Sequence, residues 1–263
     1  MDLSDAYANG AYIPEAASYP PRWAAEAAAF RDQLGARARL DIPYGAGERH
    51  RFDLFLPEGP PKGVFIFVHG GYWMAFDKSS WSHLAAGMLA HGWAVAMPSY
   101  DLCPDVRIGD ITRQIAQAVR RIAQEIAGPI TLAGHSAGGH LVARILDPSI
   151  LDAEVGQRIQ MDMPISPLSD LRPLIQTGMN EKFLMDAAEA QAESPVEMTD
   201  RHGARVVVWV GGDERPAFLD QARWLAESWG VGHVVAQGKH HFDVIDPLAD
   251  AESDIVRTLL GEI

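Results

Sequence analysis

Six short apolar runs, separated by stretches of helical periodicity, constrain the fold of this chain more than any other feature. They lie at 63–68, 93–97, 129–133, 159–165, 205–210 and 233–236. A run of four to seven apolar residues without alternation reads as a strand buried on both faces. Between them fall patterns with the period of a helix. The clearest covers 110–127, with Ile111, Ile115, Ala118, Val119, Ile122 and Ile126 on one stripe and Gly128 as its stop. Strands and helices in alternation imply a mostly parallel sheet covered on both sides. Two further segments, 36–42 and 51–56, alternate polar and apolar residues, as an antiparallel pair at a sheet edge would. The expectation is an α/β fold of eight strands.

The 263 residues are read as one domain, 1–263. Within it, 1–35 forms an N-terminal arm and helix. The helix spans 20–35, with proline at its entry, Trp23, Ala27, Phe30 and Leu34 on its apolar stripe, and Gly35 closing it. Tyr7, Tyr12 and Tyr19 favour an arm packed on the body, with a disordered leader as the alternative. Segment 170–200 breaks the strand–helix rhythm and reads as an insertion or partial lid, with a short helical pattern at 180–192.

A net charge of −13 repels nucleic acid and anionic membrane surfaces, so neither is expected as a partner. The one cysteine, Cys103, allows no intrachain disulfide and fits a reducing compartment. The first residues lack a basic region followed by an apolar run, and no apolar stretch approaches the roughly 18 residues of a membrane span. The expected location is the cytoplasm.

Chemistry enters at Gly134-His135-Ser136-Ala137-Gly138, which has the form G-x-S-x-G. It follows the run at 129–133 and precedes a helical pattern at 139–146, the strand–turn–helix setting of a nucleophile elbow. A serine at a helix N-terminus faces backbone donors and the positive end of the helix dipole. His69-Gly70-Gly71-Tyr72-Trp73 follows the run at 63–68. Adjacent glycines there let the backbone approach a bound carbonyl, so the N–H groups of Gly70, Gly71 and Ala137 are candidate oxyanion donors, with Tyr72 as a fourth.

A nucleophilic serine needs a base, and the base an orienting carboxylate. After the run at 205–210 come Asp213 and Glu214; after the run at 233–236 come His240 and His241. Spacing alone decides neither pair. The histidine pair lacks a third ligand at a metal-binding spacing, so no metal and no cofactor are expected.

These residues resemble the α/β-hydrolase superfamily and, within it, the kynurenine formamidase (arylformamidase) and esterase–lipase group. The carriers are His69-Gly70-Gly71-Tyr72-Trp73, similar to H-G-G-x-W; Tyr100-Asp101-Leu102-Cys103-Pro104, similar to Y-x-L-x-P; and Gly134 to Gly139, matching G-H-S-A-G-G. The resemblance implies an eight-stranded α/β-hydrolase fold with a small lid, and a catalytic triad of Ser136, Glu214 and His241. The acid precedes Arg215-Pro216-Ala217-Phe218, which puts it on Glu214, where Asp is common, so Asp213 stays a second choice. The base precedes Phe242-Asp243-Val244, which puts it on His241 and leaves His240 as the alternative. The implied reaction is hydrolysis of a formamide or ester, N-formylkynurenine foremost, with a general short-chain carboxylesterase next and a non-catalytic binding protein as a remote third.

Trp73, Phe76 and Trp81 crowd the loop beside the donor glycines and Phe183 lies in the candidate lid, so all four are candidate pocket residues for an aromatic substrate. The expected partner is a small acyl or formyl compound, aromatic in character, with a homodimer as the assembly open to the chain.

Overall fold

Alternate residues of one strand build two separate cores. In β3 (Val64–Val68), Val64, Ile66 and Val68 join one apolar cluster, while Phe65 and Phe67 join another on the opposite face. A strand that feeds two cores cannot alternate polar with apolar residues, which explains the continuous runs in the sequence. The structure, a computed structural model, describes residues 2–263.

Eight strands form a single sheet. β1 (Ala38–Pro43) and β2 (Arg51–Phe55) are the antiparallel pair at one edge, followed by β3, β4 (Ala94–Pro98), β5 (Ile130–His135), β6 (Ile159–Ile165), β7 (Arg205–Gly211) and β8 (Gly232–Ala236). Their order across the sheet is β1-β2-β4-β3-β5-β6-β7-β8. β2 runs antiparallel to β1 and β4, and every other neighbouring pair is parallel. The expected α/β class and mostly parallel eight-stranded sheet are therefore what the chain adopts.

β8 departs from the expected pattern. Its apolar run predicts burial on both faces, but His233 and Val235 are exposed. It is the last strand of the sheet, and an edge strand pairs on one side only.

The helices are α1 (Tyr19–Leu34), α2 (Ala86–Ala90), α3 (Ile108–Glu125), α4 (Ala137–Arg144), α5 (Ala153–Gly156), α6 (Asn180–Phe183), α7 (Ala187–Ala192), α8 (Pro216–Trp229) and α9 (Asp254–Leu259). α3, α4 and α8 contribute to one core; α1 and α9 contribute to the other. α3 starts two residues earlier than its apolar stripe suggests. The Asp110 carboxylate accepts the N–H of Arg107 at 3.0 Å and caps the first turn. It also stops earlier: Ile126 is extended at φ −124°, and Gly128 at φ +91° turns the chain into β5.

Segment 170–200 is not a detached flap. Leu171, Leu174, Phe183 and Ala190 are fully buried in the main core. The arm is tied to this segment. Leu3 donates its N–H to the Gln176 carbonyl at 2.9 Å, and Gly178 donates to the Ser4 hydroxyl at 2.9 Å. Tyr7 is buried against Phe218, with ring centroids 5.9 Å apart. No helix among the described residues is long and apolar enough to cross a membrane.

Candidate active site

Parallel strands end together, and here four strand ends carry the candidate residues. Val68 pairs with Gly134, His135 with Ile165, and Gly211 with Ala236. The loops after β3, β5, β7 and β8 therefore meet at one end of the sheet.

Ser136 sits between β5 and α4 at φ +56°, ψ −115°, a backbone conformation that a residue with a side chain rarely adopts. The turn is closed so tightly that a Cβ on Gly134 would lie 2.1 Å from the Gly138 carbonyl oxygen, and one on Gly138 would lie 2.0 Å from that of Val68. The two glycines of G-x-S-x-G are thus required by close approach, as the sequence pattern suggested. Ser136 is buried, and its N–H donates to the Ile165 carbonyl at 2.8 Å.

The loop after β3 comes directly alongside. A Cβ on Gly70 would lie 2.8 Å from the His135 carbonyl oxygen and 3.0 Å from the Ser136 Cβ. Gly71 has φ +110°, and Tyr72, Trp73 and Phe76 are also left-handed. Among the described residues, the N–H groups of Gly70, Gly71, Tyr72 and Ala137 have no acceptor within the chain. The Tyr72 hydroxyl is engaged: it donates to the Tyr7 carbonyl, so only its amide is free to serve a ligand. His69 stacks on Tyr100 with centroids 4.4 Å apart, and burial lowers its pKa to about 4. Its neutral ring therefore donates Nδ1–H to the Gly70 carbonyl at 2.7 Å, and the Tyr100 hydroxyl donates to the His69 carbonyl at 2.8 Å.

Glu214, rather than Asp213, reaches a histidine. Its Oε2 lies 2.6 Å from Nδ1 of His241, and both residues are buried. The other oxygen, Oε1, accepts the Gly211 N–H at 2.9 Å and the hydroxyl of Ser166. Asp213 is exposed; its N–H donates to the Lys239 carbonyl. His240 turns to the arm helix, with Nε2 3.0 Å from the Tyr19 hydroxyl. The His241 ring is held between Phe218 (4.4 Å between centroids) and His135 (4.6 Å). Burial first, and then His241, hold His135 well below the usual imidazole pKa, so it is neutral.

Ser136 and His241 face one cavity of about 530 Å³. No hydrogen bond joins their side chains among the described residues. The walls are Trp23, Phe76 and Trp81, with Tyr7 and Asn9 from the arm and Met179 from segment 170–200. Trp23 and Trp81 lie 4.7 Å apart between centroids.

Two pocket expectations fail. Trp73 and Phe183 are fully buried and pack edge to face 5.5 Å apart, outside the cavity lining. Trp73 also lies against His140 of α4, at 5.1 Å. The pair packs the loop after β3 against α4 and segment 170–200. Trp23 and the arm residues carried no sequence signal for the site, because an apolar helix stripe reads as packing. Ser166 carried none either, beyond lying at the end of a buried strand. Among the described residues, no group of three or more His, Cys, Asp or Glu side chains is gathered to hold a metal ion.

The chain is similar to a kynurenine formamidase of Salmo salar, 28% identical over 86% of this chain and 82% of that protein. A solved structure from Silicibacter sp. TM1040, provisionally described as a thioesterase, is 69% identical over 99% of both chains, with a TM-score of 0.98. Esterase B of Lactobacillus rhamnosis shares the fold at 16% identity and a TM-score of 0.70, over 94% of each chain. The profile of the α/β-hydrolase fold family matches residues 65–214, more than half of the sequence. The chain belongs to the α/β-hydrolase fold family and is an enzyme of that type.

Proposed function

We propose that the protein is a serine hydrolase acting on an aromatic formamide, with N-formylkynurenine cleaved to kynurenine and formate. The observation that carries this reading is the buried Glu214–His241 pair, 2.6 Å apart, whose His241 opens with Ser136 onto an aromatic-walled cavity. The relatives named kynurenine formamidase supply the substrate class.

In this reading His241 takes the proton from Ser136 as the hydroxyl attacks the formyl carbon. Glu214 fixes the tautomer by accepting Nδ1–H, so that Nε2 serves the serine, and it stabilises the imidazolium that forms. The amides of Gly70, Gly71 and Ala137 hold the oxyanion, each donor contributing about 2.7–4 kcal/mol to the transition state. His241 returns the proton to the leaving amine. Water, deprotonated by His241, then releases formate from the formyl-serine and restores the hydroxyl. A serine–histidine hydrogen bond that tightens only when substrate binds is common in such sites. The aryl group stacks among Trp23, Phe76 and Trp81.

A second reading, cleavage of short-chain esters or thioesters by the same residues, is favoured by the 69% identity to the thioesterase-described structure. Purified protein assayed with N-formylkynurenine, p-nitrophenyl acetate and an acetyl thioester separates the two. The expected result is the highest kcat/KM for N-formylkynurenine. Efficient ester or thioester cleavage with negligible deformylation would overturn the formamide assignment. Wild-type turnover by Ser136→Ala would overturn the mechanism for every substrate.

A further inference from the structure

We propose that Ser166 is a positioning residue that holds the Glu214 carboxylate in line with His241 and ties it to the nucleophile turn. The inference rests on the reading of Ser136, His241 and Glu214 as the catalytic triad and extends it to the end of β6, where no role was expected.

Ser166 is fully buried and has φ +47°, the left-handed region that residues with side chains rarely occupy. Its hydroxyl donates to Oε1 of Glu214, and its N–H donates to the Trp209 carbonyl at 2.6 Å. The residue before it, Ile165, accepts the Ser136 N–H at 2.8 Å. Two consecutive residues thus hold the backbone of the nucleophile and the side chain of the acid.

The carboxylate geometry shows what the hydroxyl adds. Oε1 has two donors, Ser166 Oγ and the Gly211 N–H, and Oε2 is left for His241. A carboxylate anchored on one oxygen by two donors from different strands has a fixed plane. With the Gly211 amide alone, the group can swing about that single contact, and the angle at which it meets Nδ1 is lost. Left-handed backbone at a buried, non-glycine position persists where the surroundings impose it, often at functional sites. Here the imposed turn brings the hydroxyl to Glu214.

Glycine accepts φ +47° without strain, so Ser166→Gly removes the hydroxyl while leaving the backbone its conformation. The expected result is a fall in kcat of about tenfold or more, the size of one hydrogen bond to a charged group, with KM within about twofold of wild type. The same substitution made in a Glu214→Ala background is expected to cost nothing further, because the group it acts through is gone. Wild-type kcat in Ser166→Gly would overturn the proposal. So would an equal loss in both backgrounds, which would mark a structural role independent of Glu214. If Glu214→Ala itself is fully active, the triad reading fails; if it is impaired while Ser166→Gly is not, only the present inference fails. Should the glycine variant not fold, Ser166→Ala read through the same cycle gives the same decision.

Discussion

The hydroxyl of Tyr72 donates to the backbone carbonyl of Tyr7, joining the loop beside Ser136 to the N-terminal arm across 65 positions of sequence. Asn9 donates to the same hydroxyl oxygen at 3.4 Å, and the Tyr7 hydroxyl accepts from Gln221 at 2.9 Å. The arm is therefore part of the cavity wall, held by hydrogen bonds as well as by packing. Tyr72→Phe strips the Tyr7 carbonyl of its donor. We expect a loss of about 1–3 kcal/mol in stability and a higher KM for aromatic substrates, with faster proteolysis near the N-terminus. Urea unfolding and steady-state kinetics check this; an unchanged midpoint and KM would mean the arm holds itself.

The two acid candidates give opposite expectations. Under the proposed mechanism, Glu214→Gln should lower kcat about 10³–10⁴-fold, as the loss of the orienting carboxylate does in serine hydrolases. Asp213→Asn, at an exposed position, should leave kcat within about twofold of wild type. Full activity in Glu214→Gln with loss in Asp213→Asn would reverse the assignment.

Gly70 lies where the donor loop meets the serine turn. A methyl group at this position would press to 2.8 Å on the His135 carbonyl and 3.0 Å on Ser136, so the loop must retreat. Gly70→Ala should cost about 10²-fold in kcat, the size of one displaced oxyanion donor, with the fold retained. Circular dichroism and steady-state kinetics together test this; wild-type kcat in a folded variant would exclude Gly70 from the oxyanion site.

Asp162 gives a pH prediction. It is fully buried on β6, neither carboxyl oxygen has a partner, and burial holds its pKa well above the usual carboxylate range. The folded state thus keeps a proton that the unfolded state releases above about pH 3.9. Its stabilising contribution is complete below that pH and is lost as pH rises toward the folded pKa, by about 1.4 kcal/mol per pH unit. Asp162→Asn removes the titration. The Tm of the variant should match wild type near pH 4 and exceed it at pH 8. A gap that does not change with pH would show that the carboxyl is ionised in the folded protein.

The layout of the sheet was legible in the sequence because the pattern of burial is written into it. A strand covered on both faces favours apolar side chains at every position, so β3 and β4 appear as unbroken apolar runs, while β5 and β6 are mostly apolar but carry the buried Thr131 and Asp162. The elbow was legible for a steric reason: Gly134 and Gly138 lie within 2.1 Å, once given a Cβ, of other backbone atoms, and only glycine fits. The parts that were not legible depend on long-range approach. Trp73 and Trp81 sit in the same loop, look alike in sequence and are both buried, yet only Trp81 lines the cavity. The difference lies in what α4, α1 and segment 170–200 bring against each. β8 likewise carries an apolar run whose exposure follows from its place at the edge.

By itself the sequence determined the α/β class, the strand–turn–helix around Ser136 and the pairing of a glycine loop with it, because each depends on local geometry or on burial period. Spacing narrowed the candidate acid to Asp213 or Glu214 and the candidate base to His240 or His241, and the family resemblance favoured Glu214 and His241. Only the tertiary structure shows which member of each pair meets the other. Adjacent residues in a turn point in different directions, and the choice is made by contacts far away in sequence: Ser166 and Gly211 take the Glu214 carboxylate, Tyr19 takes His240, and Phe218 with His135 encloses His241.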